Sequence, residues 1–296
     1  MLISFSASAS IKMAITIDDL PVHGPLPAGM SRADIAKKML SVLKKEKIPE
    51  VYGFINANKA ELQPDSKQVL KLWVNSGYPL GNHTYTHMSL NKYSSSDFER
   101  DIKANESMLA ELNAKMNWHY FRYPYLQEGD TLEKRNDIRK YLSQNAYEIA
   151  QVSVDFEDWS WNEPYTRCLA KKDTKAIKWL ESTYMQNALG KLEETRKITN
   201  ALFKRDISHI LLLHIGAFDA KMLPALIKKY KAQGVEFISL SEALKDDVYK
   251  TDPGVAAKRG SEIQIQMMNS RNITMKDLGI EQVVVYPQKE LESLCH

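Results

Sequence analysis

The sequence predicts an α/β fold, namely a (β/α)7 barrel with one unit fewer than the standard eight, followed by a C-terminal extension. Seven short apolar runs alternate with amphipathic helical patterns, and this alternation implies parallel strands with helices outside. Polar residues that can carry chemistry follow directly after several of the runs. This is expected in a barrel, because functional residues lie at the C-terminal ends of its strands. An open doubly wound sheet is the alternative architecture.

The predicted elements follow from periodicity and from start and stop signals. Ser31 can cap a helix that runs to about Lys45, with Asp34 three residues on in a capping-box pattern. Asp173 opens a long helical region, in which Gly190 is a plausible break. The seven candidate strands are residues 13–17, 51–55, 78–80, 119–121, 149–154, 210–213 and 235–238.

The chain is expected to hold one main domain and an extension. No linker rich in Gly, Ser or Pro interrupts residues 11–249, so these residues are predicted to form one domain. The turn signal Asp252-Pro253-Gly254 then breaks the alternation, and residues 250–296 form the extension. Within it, the apolar run from Ile263 to Met267 is expected to add an edge strand or to pack over one end of the domain.

Composition and charge exclude several classes of protein. The chain has 296 residues, of which 44% are hydrophobic, so it can bury a sizeable core. Its net charge is only +3 and its lysines are spread over several helices, which argues against a nucleic-acid partner. No apolar run approaches the roughly 18–20 residues of a transmembrane segment. The spacing of Cys168 and Cys295 fits no metal-binding or redox motif. The sequence alone does not decide whether they form a disulfide.

Residues 1–10 resemble the end of a secretory signal peptide, because Ala7-Ser8-Ala9 is an A-x-A pattern. The positive n-region and most of the apolar core are missing, so we interpret the segment as a remnant of a signal whose start lies upstream. On that interpretation an extracytoplasmic location, periplasmic or secreted, is slightly favoured. A cytoplasmic protein with a disordered N-terminus is the alternative.

Five of the candidate strands are followed by residues that can bind a metal or transfer a proton. Each group alone has an ordinary explanation, since Asp is common in turns and a lone His after apolar residues is more often a core residue. Because parallel strands end at the same rim, we expect the five groups to meet there. They are Asp18 and Asp19, His83 and His87, Arg122 and Tyr125, Asp155 with Asp158 and Trp159, and His214.

Together these residue types predict metal-assisted hydrolysis. One Asp and two His bind a metal and leave a coordination position open for water and a substrate oxygen. A metal at such a site lowers the pKa of water from 15.7 to about 7 and polarises a carbonyl group. A carboxylate that is not a ligand can then take a proton from the water, and a histidine on the other side can protonate the leaving group.

The same residues resemble the motifs of the polysaccharide deacetylases, the NodB-homology proteins of carbohydrate esterase family four. The resemblance covers about residues 12–245 and implies a distorted (β/α)7 barrel of the NodB-homology type, with residues 11–249 as the catalytic domain. The motif T-F-D-D-G appears as Thr16-Ile17-Asp18-Asp19-Leu20, and the motif H-[ST]-x-x-H appears as His83-Thr84-Tyr85-Thr86-His87. The motif R-x-P-Y appears as Arg122-Tyr123-Pro124-Tyr125, and D-x-x-D-W corresponds to Asp155 to Trp159. The motif L-x-L-x-H corresponds to Ile210 to His214, with Ile in place of the first Leu.

For the first three motifs the resemblance implies a metal site and a general base. Asp19, His83 and His87 would bind a divalent metal, with zinc preferred and cobalt or manganese as alternatives. Asp18 would be the general base. Arg122 would pair with Asp18 and keep it ionised, since a nearby cation lowers the pKa of a carboxyl group.

For the remaining positions the resemblance implies a general acid and a substrate-binding wall. Asp158 would orient His214 and raise its pKa, so that His214 starts protonated and acts as the general acid. Tyr125 would offer its backbone N–H to the oxyanion. Trp159 and Leu212 would shape the apolar wall around the acetyl methyl group.

The chain departs from the family pattern at Leu20, which replaces the glycine of the first motif. Glycine reaches backbone angles that leucine reaches poorly, so we expect the following loop to run differently, and a bulkier residue beside the base can narrow the cleft. His23 in this loop is interpreted either as a locally hydrogen-bonded loop residue or as a substrate contact or extra ligand.

The activity implied by the resemblance is the removal of N-acetyl groups from N-acetylhexosamine residues of a glycan of the peptidoglycan or chitin type, with release of acetate. O-deacetylation of xylan-type polymers is the alternative activity. A catalytically silent glycan-binding protein is the alternative outside enzymes, although the presence of base, ligands and acid argues against it. The modest net charge argues against a nucleic-acid binder.

Overall fold

The computed structural model of the chain describes residues 10–113, 115–283 and 286–296. The interpretation of residues 1–10 as a signal remnant therefore falls, except for Ser10, outside the described residues. Each of the seven predicted apolar runs overlaps a strand, although the runs 78–80 and 149–154 share only one residue with theirs. The strands are β1 (Ile11–Leu20), β2 (Tyr52–Ile55), β3 (Leu80–Asn82), β4 (Tyr120–Phe121), β5 (Glu148–Ile149), β6 (His209–His214) and β7 (Val235–Phe237).

The strands form one parallel sheet that curls into a distorted barrel, as predicted. The strand order is β5-β4-β3-β2-β1-β6, and β7 pairs with the first residues of β1. After β5 the chain continues extended, and a parallel bridge between Val154 and Leu211 joins it to β6. This bridge closes the ring. β1 pairs with β2, β6 and β7 and is buried along nearly its whole length, and its C-terminal end lies at the rim beside the end of β6.

The helices lie outside the sheet and in the extension. In the capping box of the first helix, the Ser31 side chain accepts from the Asp34 backbone N–H, as the sequence predicts. The described helices are α1 (Arg32–Lys45), α2 (Ala57–Leu62), α3 (Pro64–Asn75), α4 (Ser95–Leu112), α5 (Leu132–Gln144), α6 (Asn162–Ala170), α7 (Thr174–Phe203), α8 (Ala217–Ala232), α9 (Leu240–Ala243), α10 (Asp247–Lys250), α11 (Ile263–Ser270) and α12 (Gln288–Ser293).

The expected break in α7 is absent, and of the two alternatives for the run from Ile263 to Met267 the edge strand is wrong. α7 runs without a break through Gly190, because its buried face, including Tyr184 and Leu192, outweighs the cost of one glycine, about 1 kcal/mol. The run from Ile263 to Met267 is not an edge strand but lies in α11. Its alternating apolar residues mimic a strand, yet Ile263 and Met267 share one helix face and pack against Ile207 and Val248.

The C-terminal extension is packed onto the barrel. Ile263 N–H donates to the Val152 carbonyl at 2.8 Å, which ties the start of α11 to the rim. A disulfide joins Cys168 at the end of α6 to Cys295, 127 residues further along the chain. Among the described residues, no helix combines the length and apolar character needed to span a membrane.

Candidate active site

The five sequence motifs meet at one rim of the barrel, around a pocket of about 620 Å³. Asp18 on β1 and His214 on β6 are direct partners in the register of the two strands. Parallel pairing therefore places a carboxylate and an imidazole at the same height on the rim. The lining residues named by the sequence are Asp18, Asp19, His83, His87, Tyr125, Asp155, Trp159, Leu212 and His214.

Asp19, His83 and His87 form a group that can hold a metal ion, since one donor atom from each lies within 4.8 Å of the others. Asp19 Oδ1 is 3.3 Å from His87 Nε2 and 3.8 Å from His83 Nε2. Asp19 has a φ of 65°, in the left-handed region, while the preceding Asp18 still follows the strand. This change of backbone direction turns the two adjacent carboxylates toward different partners.

The protonation states of this group suit a metal ligand set. Burial lowers the pKa of His83 well below its ordinary value and that of His87 to about 4, so both imidazoles are neutral near pH 7. Burial alone would raise the pKa of Asp19, but Lys59, His23 and His87 hold it well below its usual range. His83 Nδ1 lies 2.8 Å from the Arg122 carbonyl, which fixes this nitrogen as the donor and leaves Nε2 as the ligand atom. The donor set thus fits a divalent metal.

A buried asparagine cluster holds the loop that carries the two histidines. Asn56 Nδ2 donates to the carbonyl of His83 at 2.7 Å and to that of Thr84 at 3.0 Å. Asn82 Oδ1 accepts from the Thr84 backbone N–H and from Asn105 Nδ2, both at 2.9 Å. The φ of Thr84 is 61°, a conformation that costs free energy for a non-glycine residue and needs such support.

Asp18 is paired with Arg122 in a nearly closed environment. Arg122 Nη1 lies 3.2 and 3.1 Å from the two carboxylate oxygens of Asp18. Burial raises the pKa of Asp18 to about 6, although the Arg122 guanidinium acts in the opposite direction. The expectation that Arg122 lowers this pKa is therefore right in sign, but burial is the larger effect. The carboxylate is poised to accept a proton near neutral pH.

His214 is paired with Asp158. His214 Nδ1 lies 2.8 Å from Asp158 Oδ1, and the backbone N–H of His214 donates to Asp158 Oδ2 at 2.7 Å. Burial lowers the pKa of His214, but the Asp158 carboxylate outweighs this and raises it to about 10. Behind this pair, burial and the Asp158 charge raise the pKa of Asp219 well above its usual value, and Tyr184 Oη donates to Asp219 Oδ1 at 2.8 Å.

Tyr125, Trp159 and Leu212 lie at the mouth and wall of the pocket. The side chain of Tyr125 is exposed and its ring centroid is 4.4 Å from that of His87. Trp159 is also exposed, whereas Leu212 is buried. The φ of Tyr125 is 58°, so its peptide is turned out of the regular path after β4. The residue predicted to stabilise the oxyanion, Tyr125, and the two predicted for the apolar wall, Trp159 and Leu212, therefore lie at the same pocket.

A family model described as "Polysaccharide deacetylase" matches residues 7–150, which include the first three motifs. Beyond that span, the other two motifs complete the same rim in the structure. Over residues 7–150 the chain is similar to the polysaccharide deacetylases.

Curated relatives are similar over about half of the chain. A peptidoglycan-N-acetylglucosamine deacetylase from Bacillus cereus is 29% identical over 148 residues, which is 50% of this chain and 46% of the relative. A chitin deacetylase from Arthroderma benhamiae is 25% identical over 152 residues, which is 51% of this chain and 36% of the relative. The chain thus matches less than half the length of each of these relatives.

Solved structures share the fold. The chitin deacetylase from Colletotrichum lindemuthianum has a TM-score of 0.55 at 21% identity, with 80% of this chain and 88% of that one covered. A pseudoenzyme of carbohydrate esterase family four from Bacillus anthracis has a TM-score of 0.54 at 17% identity, with 79% and 66% covered. Both confirm the NodB-type barrel.

The first motif departs from the family pattern at Leu20, and the pairing of β1 with β2 shifts register between Ile17 and Leu20. β1 continues through Leu20, which pairs with Ile55 of β2. The Leu20 side chain is fully buried and occupies the space over Gly53, where a Cβ would lie 2.6 Å from Leu20 Cδ2. Leu20 is not among the pocket-lining residues, so it does not narrow the cleft. The positive φ that a glycine could supply occurs one residue earlier, at Asp19.

Sequence reasoning missed how closely the side chains of His23 and Lys59 approach Asp19. His23 Nδ1 lies 2.7 Å from Asp19 Oδ2, and Lys59 Nζ lies 3.3 Å from Asp19 Oδ1. The ring centroids of His23 and His214 are 4.9 Å apart. His23 is thus a partner of the predicted metal ligand Asp19 and lies beside the predicted acid His214. The turn-forming sequence around it gave no signal for this contact, which depends on how the loop folds back.

Proposed function

We propose that the protein is a metal-dependent hydrolase that removes N-acetyl groups from N-acetylhexosamine residues of a glycan of the peptidoglycan or chitin type and releases acetate. The observation that carries this proposal is the arrangement of two buried ion pairs around one donor set. The pairs Asp18–Arg122 and His214–Asp158 flank the group made by Asp19 and its two histidines. The activities named for the curated relatives support the choice of an N-acetylated sugar.

Asp18 is the proposed general base. Its pKa of about 6, raised by burial, leaves it largely ionised at pH 7 and still basic enough to take a proton from the attacking water. Arg122 holds the carboxylate in place through Nη1. A bound divalent metal, for which we propose zinc ahead of cobalt or manganese, would supply Lewis-acid polarisation of the acetyl carbonyl and a lower pKa for water.

His214 is the proposed general acid. The Asp158 carboxylate raises its pKa to about 10, so the imidazole carries the proton that the leaving amine requires. Asp158 accepts from both the ring and the backbone of His214 and thereby aims Nε2 at the pocket. The two pKa values lie on opposite sides of neutrality, as the division into base and acid demands.

The remaining predicted residues serve the acetyl group in this proposal. The backbone N–H of Tyr125 stabilises the negative charge that develops on the carbonyl oxygen. Leu212 and Trp159 contact the methyl group and exclude water from it. Both side chains line the pocket beside Asp18 and His214, which supports this role.

Acetate release by the metal-loaded protein on a panel of acetylated glycans tests the activity. Asp18→Asn is expected to lower kcat by about 10²–10⁴-fold, the contribution of a general base. Asp247→Asn, at an exposed carboxylate outside the pocket, is the control and is expected to be neutral. Binding of a glycan without turnover, unaffected by Asp18→Asn, would contradict the proposal and favour a silent glycan-binding protein. Turnover confined to O-acetylated xylan would replace the substrate with the alternative one.

Elemental analysis of the purified protein tests the metal ligands. His83→Ala is expected to abolish stoichiometric metal binding. His119→Ala is the matched control, because His119 lies at the N-terminal end of β4 and stacks on Trp118. Equal metal content in both variants would refute the proposed ligand set.

We further propose that residues 11–249 are the catalytic domain and that the protein works in an oxidising compartment outside the cytoplasm. The disulfide between Cys168 and Cys295 supports this location, since stable disulfides are rare in the reducing cytosol. Fractionation of cells that express the native gene, with thiol labelling of the protein, tests it. A cytosolic protein with two reactive thiols would contradict it.

A further inference from the structure

One wall of the catalytic pocket comes from the C-terminal extension. Gly260, Ser261 and Glu262 line the same pocket as Asp18 and His214. They lie outside the segment that matches the family model, which ends at residue 150. They also lie outside the five motifs, so the family pattern assigns them no role.

Backbone hydrogen bonds fix this wall to the rim on both sides. The Ala257 N–H donates to the Gly129 carbonyl at 3.0 Å, and the Ile263 N–H donates to the Val152 carbonyl at 2.8 Å. The loop after β4 and the chain after β5 thus hold the segment between them. It is built into the barrel.

The wall also touches the loop that carries the proposed oxyanion donor. A Cβ on Gly260 would lie 1.8 Å from the Tyr125 carbonyl oxygen and 2.7 Å from the Leu126 carbonyl carbon, so the two backbones are in direct contact. Tyr125 and Leu126 have φ values of 58° and 53°, which are uncommon for residues other than glycine. The extension therefore packs against the part of the pocket nearest to the reacting carbonyl.

A buried ion pair joins this wall to α7. Lys191 Nζ lies 2.6 Å from Glu262 Oε1, and the two side chains are mostly buried. Glu262 keeps the pKa of Lys191 above its ordinary value in spite of burial. Both residues line the pocket, where an ammonium donor lies next to a carboxylate acceptor. A sugar hydroxyl both donates and accepts hydrogen bonds, so it can accept one from the Lys191 ammonium and donate one to the Glu262 carboxylate.

Two hydroxyl groups of the same pocket have no partner. Among the described residues, Ser261 Oγ and Tyr123 Oη are buried without a hydrogen bond. Tyr123 is only 2% exposed and lines the pocket together with Ser261. A buried hydroxyl without a partner costs free energy, and a polar ligand in the pocket would recover it.

We propose that Ser261 and the Lys191–Glu262 pair form a sugar-binding subsite that binds ring hydroxyl groups of the acetylated saccharide and determines substrate specificity. This subsite rests on the proposed function, since it positions the sugar whose acetyl group is removed. It assigns the C-terminal extension a direct part in substrate recognition.

Steady-state kinetics on the N-acetylated glycan with the highest turnover tests the subsite. Ser261→Ala and Glu262→Gln are each expected to raise KM by about 5- to 30-fold, the range for loss of one hydrogen bond to an uncharged or a charged partner. The kcat and the bound metal are expected to stay near wild type, because neither side chain contacts the ligands or the proton donor. Two variants are used so that a folding defect in one does not decide the result.

Matched controls come from the same helices. Glu193→Gln breaks a pair with Lys197 that also spans 2.6 Å on α7 but is exposed. Ser270→Ala removes an exposed hydroxyl at the other end of α11. Both controls are expected to keep the wild-type KM.

The two proposals fail in different ways. If the wild type releases acetate and neither subsite variant raises KM, or if both lower kcat and metal content instead, the subsite is refuted while the deacetylase function stands. If the metal-loaded wild type releases no acetate from any glycan of the panel, the proposed function is refuted and the subsite with it.

Discussion

Arg122 and Asp18 form a buried ion pair in which one guanidinium nitrogen lies 3.2 and 3.1 Å from the two carboxylate oxygens. Their side chains are 1% and 3% exposed. The same guanidinium donates to the Ala150 carbonyl at 2.6 Å and to Thr16 Oγ1 at 3.0 Å. One side chain therefore links β1, β4 and the chain after β5 across the ring, and it is expected to matter for stability as well as for catalysis.

Arg122→Met is expected to lower the free energy of unfolding by about 3–5 kcal/mol, because it leaves Asp18 buried without its counter-ion. Denaturant unfolding with the disulfide intact measures this change. The double variant Arg122→Met/Asp18→Asn is expected to lose much less than the sum of the single variants. For comparison, Lys67→Met at the exposed pair with Glu111 is expected to cost about 1 kcal/mol or less. Additive losses in the double variant would show that the pair is not coupled.

Asp158→Asn is expected to move the alkaline limb of the kcat/KM profile to lower pH. His214 must be protonated to act as an acid, so activity falls as the pH rises through its pKa. The Asp158 carboxylate raises that pKa to about 10, and without its charge burial lowers it. The alkaline limb therefore shifts to lower pH, while the acid limb stays at the same pH.

The full pH–rate profile of both proteins at saturating metal provides the measurement. Asp173→Asn, which changes only the N-cap of α7, serves as the control and is expected to leave both limbs unchanged. An unchanged alkaline limb in Asp158→Asn would show that His214 is not the acid.

The fold and the main site were largely predictable because both follow from short-range patterns. Each strand is a short apolar run, and parallel strands must end at one rim, so Asp18 and His214 could be expected together before their register was known. The length of α7 was less predictable. A single glycine is a local signal for a break, whereas the buried face of the helix depends on neighbours distant in sequence.

The parts of the site that sequence reasoning missed depend on contacts between segments far apart in the chain. Glu262 reaches the pocket only because α11 docks on the rim. Asp219, in the first turn of α8, is buried behind Asp158. No local spacing encodes such contacts, and the alternation around Ile263 even indicated a strand.

His23→Ala is expected to weaken metal binding about 10- to 100-fold, the usual effect of removing a hydrogen-bond partner from a ligand. His23 Nδ1 lies 2.7 Å from Asp19 Oδ2 and thus orients the carboxylate. Competition with a chelator for Zn²⁺ measures the affinity. His23→Gln, which can still donate a hydrogen bond, is expected to recover part of it, and His119→Ala is expected to have no effect. An unchanged affinity in His23→Ala would confine His23 to a role in the loop.

Cys295→Ser is expected to lower the free energy of unfolding by about 3–5 kcal/mol, because the lost disulfide closes a long loop in the unfolded chain. The bridge spans 127 residues and fastens the end of the extension to α6. Arg167 on α6 adds contacts to the same segment, donating to the carbonyls of Leu291 at 2.9 Å and Leu294 at 3.1 Å. These hydrogen bonds do not depend on the disulfide, so the extension is expected to stay docked in the variant. The loss of free energy of unfolding is then expected to come mainly from the greater conformational entropy of the unfolded chain.

Guanidinium unfolding of the oxidised wild type, the reduced wild type and Cys295→Ser separates these effects. The reduced wild type and the variant are expected to unfold at the same guanidinium concentration. A reductant is expected to leave the unfolding midpoint of the variant unchanged. A variant as stable as the oxidised wild type would show that the disulfide contributes nothing. Because the extension also carries Ser261 and Glu262, a KM that stays at the wild-type value in Cys295→Ser would show that the contacts at the rim, and not the disulfide, hold the proposed sugar subsite in place.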